Sequence, residues 1–261
     1  MDMFNERLQK RYDRIATVWN SPAYEGIRKD ELIPKLVALL EIKNEENFSV
    51  LEAMSGTGLL SQNIKTEAPR ASVTALDSSS EMLKQVPENI RVVQTSVATM
   101  PFSDKTFDRI CLRNGLYDLS RSTQTQAIHE IKRVLKERGI FVLQHYYTTS
   151  ETFETLNELV RRKDIAGNQN KDVGEERFAR YFGTLDELES ELAEAGFDFK
   201  REAEFQGEIR YMRTDEMADS TSWVSYDNNL PDEIKTAIDL RKEEDGTLTF
   251  NFPGIIYRMT A

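Results

Sequence analysis

The segment Glu52-Ala53-Met54-Ser55-Gly56-Thr57-Gly58 constrains the fold more than any other part of the chain. Residues 48–54 form a short strand with a β-branched centre, Ser55-Gly-Thr-Gly is a tight polar turn, and Leu59–Lys65 reads as a helix. Gly56 and Gly58 admit backbone torsions and close approaches that a side chain would forbid. A strand passing through such a turn into a helix leaves free backbone amides at the helix start, where a polar ligand can meet them. The next strand, 71–77, ends on Asp77, 25 residues beyond Glu52. An acidic strand end at that distance can accept hydrogen bonds from ribose hydroxyls.

The same rhythm continues. Ser78-Ser-Ser-Glu81 caps the following helix, with Glu81 at capping-box spacing from Ser78. Residues 90–94 and 107–112 form the third and fourth strands; a helix at 122–135 and a break at Gly139 precede the fifth, 140–143. Strands alternating with helices predict parallel βαβ units, with right-handed crossovers placing helices on both sheet faces. Val50-Leu51, Val92-Val93 and Phe141-Val142-Leu143 are apolar on successive residues, as expected of strands buried on both faces.

The flanks are helical. Residues 4–21 carry Phe4, Leu8, Tyr12, Ile15, Ala16 and Trp19 at helical spacing, and a second helix over 29–40 has Pro34 near its first turn. Beyond His145 the expected elements are a helix at 152–163, a polar loop at 164–176 and a helix at 184–195, capped by Thr184 with Glu187 and stopped by Gly196. Strands at 197–205 and 249–259 follow, with a helix near 231–241 between them. The region from Arg210 to Gly246 is acidic and polar, anchored by Trp223 and Tyr226.

Composition excludes several classes. Thirty-four Lys and Arg against 45 Asp and Glu give a net charge of −11, which repels nucleic acids and anionic membranes at long range. One cysteine, Cys111, forms no internal disulfide, and two histidines make no metal cage. No stretch nears the roughly 18 apolar residues of a membrane span, and the charged start is unlike a signal peptide. A cytoplasmic protein is the simplest expectation; a homodimer stays open. Neither a P-loop nor a GxSxG elbow is present.

Four further blocks accompany the turn VLEAMSGTG at 50–58: ALDSSSEML at 75–83, MPFSDKTFDRI at 100–110, EIKRVLKERGIFVL at 130–143 and LAEAGF at 192–197. In this order and spacing the chain resembles the class I S-adenosylmethionine-dependent methyltransferase family. The resemblance implies a Rossmann-like α/β fold: a seven-stranded mixed sheet in the order 3-2-1-4-5-7-6, its last strand antiparallel, with helices on both faces and an N-terminal helical cover. It implies one methyltransferase-like domain over 1–261, with 1–45 as the cover and 206–248 as a variable insertion. Glu52, Ala53, Ser55, Gly56 and Gly58 would surround the amino-acid part of S-adenosylmethionine. Asp77 would hold the ribose, and Ser78 and Met82 would flank the adenine, whose amino group is read near Ser96 and Val97. Arg113, counted with the cofactor set, could grip a carboxylate in bidentate fashion or pair with an Asp. The chain departs from the family at Met54, where glycine is usual, at Ser96, where an acidic residue is frequent, and at Glu137-Arg138-Gly139, which replaces Pro-Gly-Gly.

A methyl sulfonium is already activated by its charge, so catalysis requires in-line positioning and exclusion of water, with a base only for a protonated acceptor. The exits of the fourth and fifth strands supply the candidates. His145 is the expected base and Tyr117 and Asp118 accompany it. Asn114, Tyr146 and Tyr147 would position the acceptor, and Tyr12 and Trp19 would close the pocket. His129 belongs to a helix surface or packing position, and Cys111 to the core. The expected activity is methyl transfer to a small organic acceptor, without metal. The alternatives are other chemistry on the same cofactor, or a non-catalytic ligand-binding module.

Overall fold

A computed structural model describes residues 3–19, 31–43, 47–147, 183–211, 232–237, 239–242, 244 and 248–261. The expected helix at 152–163, the loop at 164–176, and Trp223 and Tyr226 lie outside the described residues.

At the centre of the sheet is β1 (Ser49–Ala53), paired in parallel with β2 (Ser72–Asp77) on one side and β4 (Phe107–Arg113) on the other. Beyond β2 lies β3 (Arg91–Gln94), and beyond β4 lies β5 (Leu135–Tyr146), both parallel to their neighbours. Two antiparallel strands complete the row, β8 (Leu248–Thr260) against β5 and β6 (Asp198–Tyr211) against β8. The order is 3-2-1-4-5-8-6, with two-residue β7 (Arg241–Lys242) attached to β8. Apart from that extra strand, this is the expected mixed sheet.

Side chains alternate between two cores. Leu51, Leu76, Ile110, Leu112, Phe141, Leu143 and Tyr257 face one cluster. It is closed by α5 (Arg121–Val134) and α6 (Leu185–Glu194). Val50, Val73, Ala75, Cys111, Val142 and Ile256 face the other, under α2 (Ile33–Leu39) and α3 (Leu59–Glu67). Burial of each such aliphatic side chain contributes roughly 1.5–3 kcal/mol, and period-two alternation is what fills both layers.

Several local expectations need correction. Val92 is 46% exposed, because β3 is an edge strand covered on one side only. Ser79 rather than Ser78 caps α4 (Ser80–Leu83), its hydroxyl accepting from Met82 N at 3.2 Å. Strand β5 starts at Leu135 and ends at Tyr146, far beyond the expected 140–143. Arg138 turns at φ +63°, and a Cβ at Gly139 would sit 2.8 Å from the Lys136 carbonyl oxygen, so glycine is required at this turn. Strand β6 runs to Tyr211, into the segment expected as an insertion, and α7 (Asp232–Ala237) is shorter than predicted.

Helix α1 (Met3–Trp19) lies against α4. Asp13 accepts from Ser79 Oγ at 2.6 Å and from Glu81 N at 3.4 Å, and Gln85 donates its amide to the Ala16 carbonyl. The thirteenth residue thereby caps a helix near the eightieth. This arrangement brings the N-terminal helix over the carboxyl ends of the strands.

Candidate functional site

The chain order reverses between β1 and β4, and such a switch point opens a crevice beyond the carboxyl ends of the strands. A cleft lies there, holding about 1160 Å3 of atom-free space, its open mouth included.

Glu52, next to last in β1, is 4% exposed and forms one end of the floor. Its carboxylate accepts from Ser61 N at 2.7 Å and from Ser61 Oγ, which ties the strand to α3. Burial pushes its pKa up to about 7, although the Ser61 hydrogen bonds and the Arg113 charge oppose the rise. The turn follows with Met54 at φ +56°, Gly56 at +53° and Gly58 at +73°. A Cβ at Gly58 would meet Val86 Cγ2 at 3.1 Å, so this glycine is a packing requirement as well as a conformational one. At Gly56 a Cβ would meet only Trp19 Nε1 at 4.0 Å; the space beside it is the cleft itself. The Ser55 hydroxyl is buried on this wall without a hydrogen-bond partner among the described residues.

Asp77, at the end of β2, accepts from Gly56 N at 2.8 Å through one oxygen and from Ser79 N at 2.9 Å through the other. Burial raises its pKa, the nearby Asp13 carboxylate adds to the rise, and the amides oppose it. Ser78, Met82, Thr95, Ser96 and Val97 continue this wall. Met54 fills the gap toward β4: a Cβ on Gly115 would lie 3.2 Å from its Cε.

The opposite wall begins at Arg113 and Asn114 and continues through Gly115, Tyr117, Asp118 and Leu119. Tyr12 reaches it from α1, its hydroxyl donating to Asp118 Oδ2. Tyr12 and Trp19 pack edge to face at 6.0 Å and 74°. Tyr117 leans on His145 and Tyr146, each with its ring centroid 5.9 Å away.

Of the residues singled out from sequence, Tyr12, Trp19, Glu52, Ser55, Gly56, Asp77, Ser78, Met82, Ser96, Val97, Arg113, Asn114, Tyr117 and Asp118 line this one cleft. Gly58 shapes the turn without lining the cleft, and Ala53 points into the core. His145, Tyr146 and Tyr147 do not line it either. The expectation for His145 is overturned by the length of β5, which makes it an interior strand residue paired with Ile255 instead of a loop residue. It is 1% exposed, and burial drives its pKa down to about 3. Its Nδ1 has no hydrogen-bond partner among the described residues. Tyr146 packs on Phe205 at 5.7 Å, and Tyr147 donates its backbone amide to the Pro253 carbonyl. Tyr146 stands behind Tyr117.

Thr57, Leu59, Leu76, Thr95, Gly115 and Leu119 also line the cleft. Gly115 was missed, although the Asn-Gly pair is a turn signal that could have found it: Asn114 and Gly115 adopt φ +60° and +93°. Asp13 carried no such signal, because its partners are 66 and 68 residues away. Cys111 is buried, with its thiol pKa pushed well up by burial, and His129 is exposed on α5. Among the described residues no group of His, Cys, Asp and Glu could hold a metal ion, and no helix is long and apolar enough to cross a membrane.

Residues 50–139 match the family model of a methyltransferase domain. A demethylmenaquinone methyltransferase of Thermotoga maritima is 29% identical over 141 residues, covering 53% of this chain and 58% of the relative. The chain spans little more than half the length of the first curated relatives it matches. Among solved structures, the YcgJ protein of Bacillus subtilis superposes with a TM-score of 0.66 at 19% identity, covering 87% of this chain and 97% of the other. A phosphoethanolamine N-methyltransferase of Haemonchus contortus, solved with phosphomonomethylethanolamine and S-adenosylhomocysteine, gives 0.52 at 15% identity, covering 87% of this chain and 52% of that one. These two likenesses are of fold.

Proposed function

We propose that the chain carries a class I S-adenosylmethionine-dependent methyltransferase domain and moves the methyl group of S-adenosylmethionine to a small organic acceptor. One observation supports the reading above all: Glu52, the open side of Gly56 and Asp77 converge on a single cleft from adjacent strand ends. The donor set suits the cofactor. Glu52 would meet the ammonium of its amino-acid part, with the Ser55 hydroxyl beside it, and Asp77 would hold the ribose. Ser78, Met82, Ser96 and Val97 would flank the adenine.

The bound cofactor supplies a methyl carbon activated by the sulfonium charge. The chain's own residues supply position and dryness. Tyr12 and Trp19 cover the cleft from α1, and Arg113 lies within electrostatic reach of Glu52. Tyr117, Asp118 and Asn114 form the acceptor side, with Asp118 the proton acceptor where one is needed. His145 takes no part, being outside the cleft. A single domain with residues 1–45 as cover belongs to the same proposal.

Titration calorimetry separates this class from its rivals. Binding of S-adenosylmethionine without binding of NAD is the expected result, and the reverse would overturn it. Methyl-labelled cofactor offered with acceptor panels, demethylated quinols among them because the curated relatives carry that name, then identifies the product. Cofactor binding with no labelled product across amines, phenols, thiols and quinols would move the chain to the non-methylating alternatives.

A further inference from the structure

Four charged side chains line the cleft, the carboxylates of Glu52, Asp77 and Asp118 and the guanidinium of Arg113. Glu52 and Asp77 sit at the ends of β1 and β2, on the donor wall. Asp118 stands across the cleft in a single turn of 3-10 helix at Leu116–Asp118, 3% exposed. Tyr12 is hydrogen-bonded to its carboxylate, Trp19 packs edge to face on Tyr12, and Tyr117 lines the same cleft. The phenol donates one hydrogen bond to the carboxylate. A carboxylate among rings suits an organic cation, whose spread charge is attracted both by the anion and by the ring faces. A neutral planar acceptor would leave the buried carboxylate without a counter-charge, and an acidic one would be repelled.

From this juxtaposition we infer that the acceptor side of the cleft is a seat for an alkylated ammonium group, and so that the methyl acceptor is a small amine. Held as its ammonium, it gives its proton to Asp118, and the freed nitrogen lone pair forms the new carbon–nitrogen bond as the methyl–sulfur bond breaks and the thioether product leaves. The inference rests on the methyl-transfer reading, and its test is chosen to fail separately. The probe is the tetramethylammonium ion, titrated into protein saturated with S-adenosylhomocysteine so that the donor wall is filled. tert-Butanol of similar shape and acetate serve as the neutral and anionic comparisons.

The ammonium ion should bind about tenfold more tightly than tert-butanol, the size expected of a desolvated cation–aromatic contact. Asp118→Asn should remove that preference while S-adenosylhomocysteine binds as before, which also shows that the variant is folded. Tyr117→Leu should weaken the ion severalfold and leave tert-butanol unchanged. Equal binding of ion and alcohol, a preference for acetate, or an ammonium affinity indifferent to Asp118→Asn would each overturn the inference and leave methyl transfer to another acceptor intact. No binding of S-adenosylhomocysteine at all would overturn both.

Discussion

The two walls of the cleft are held by different kinds of contact. On the donor wall side chains meet backbone: Asp77 accepts from the amides of Gly56 and Ser79, and Glu52 from that of Ser61. On the acceptor wall the prominent contacts join side chains: Tyr12 with Asp118, and Tyr117 with His145 and Tyr146. A wall pinned through backbone amides presents a preset pattern whatever surrounds it. A wall of packed rings takes its shape from elements far apart in sequence, and can be re-lined without disturbing the sheet. The first suits a ligand common to many proteins, the second a ligand particular to one.

Removing Asp77 is the most direct way to break the donor wall. Asp77→Ala deletes the acceptor of two amide hydrogen bonds and the expected ribose contact. S-adenosylmethionine affinity should fall about a hundredfold, or about 3 kcal/mol. Calorimetry reads this directly; an affinity within about threefold of the parent would remove Asp77 from ligand binding.

Glu52 sharpens the comparison through pH. Its pKa is raised to about 7 in the folded chain from an ordinary 4.5, so the proton is held more tightly when folded. Its stabilising contribution is therefore full below its ordinary value and is lost as pH rises through about 7. Glu52→Gln should flatten this loss, gaining on the parent by about 2 kcal/mol between about pH 5 and about pH 8 in denaturant titrations. A cationic ligand favours the carboxylate, so cofactor affinity of the parent should climb through the same window with release of a proton. Identical pH profiles for parent and variant would show that Glu52 does not titrate there.

These walls were unequally legible in the sequence. The donor wall is written locally: strand, glycine turn, helix and an acidic strand end occupy residues 49–77, and their chemistry follows from spacing. The acceptor wall depends on two facts that spacing does not carry. One is the pairing of β5 with β8, a strand far along the chain, which carries β5 to Tyr146 and draws His145 and Tyr146 into the sheet. The other is the grip of Asp13 on Ser79, which brings Tyr12 and Trp19 over the cleft. Apolar doublets gave the interior strands but misjudged Val92, since a doublet says nothing about whether a neighbouring strand covers it.

His145 tests whether the boundary behind Tyr117 is drawn in the right place. His145→Ala removes a buried ring in contact with Tyr117, so thermal stability should fall by about 1–2 kcal/mol. Cofactor affinity should remain, and the pH dependence of the single-turnover rate should keep its shape between about pH 6 and about pH 9, because a group titrating near 3 is neutral throughout. Loss of a kinetic ionisation near neutrality in this variant would return His145 to the reaction.

Met54 joins the two walls, and the smallest effect is expected there. At φ +56° it occupies the left-handed region, which costs an L-residue about 1–2 kcal/mol relative to a right-handed one. Its thioether packs against Gly115 across the switch point, a contact that offsets part of that strain. Met54→Gly relieves the backbone and deletes the contact, and it also adds freedom to the unfolded chain, which disfavours folding by up to about 1 kcal/mol. These terms oppose one another, so the net change in stability should stay below about 1 kcal/mol. Ligand binding divides them more cleanly. A bare glycine lets the ligand approach the backbone and opens the gap between the walls, so S-adenosylmethionine should bind a few times more tightly while tetramethylammonium binds more weakly. If both ligands shift in the same direction, Met54 belongs to one wall only and does not separate the two.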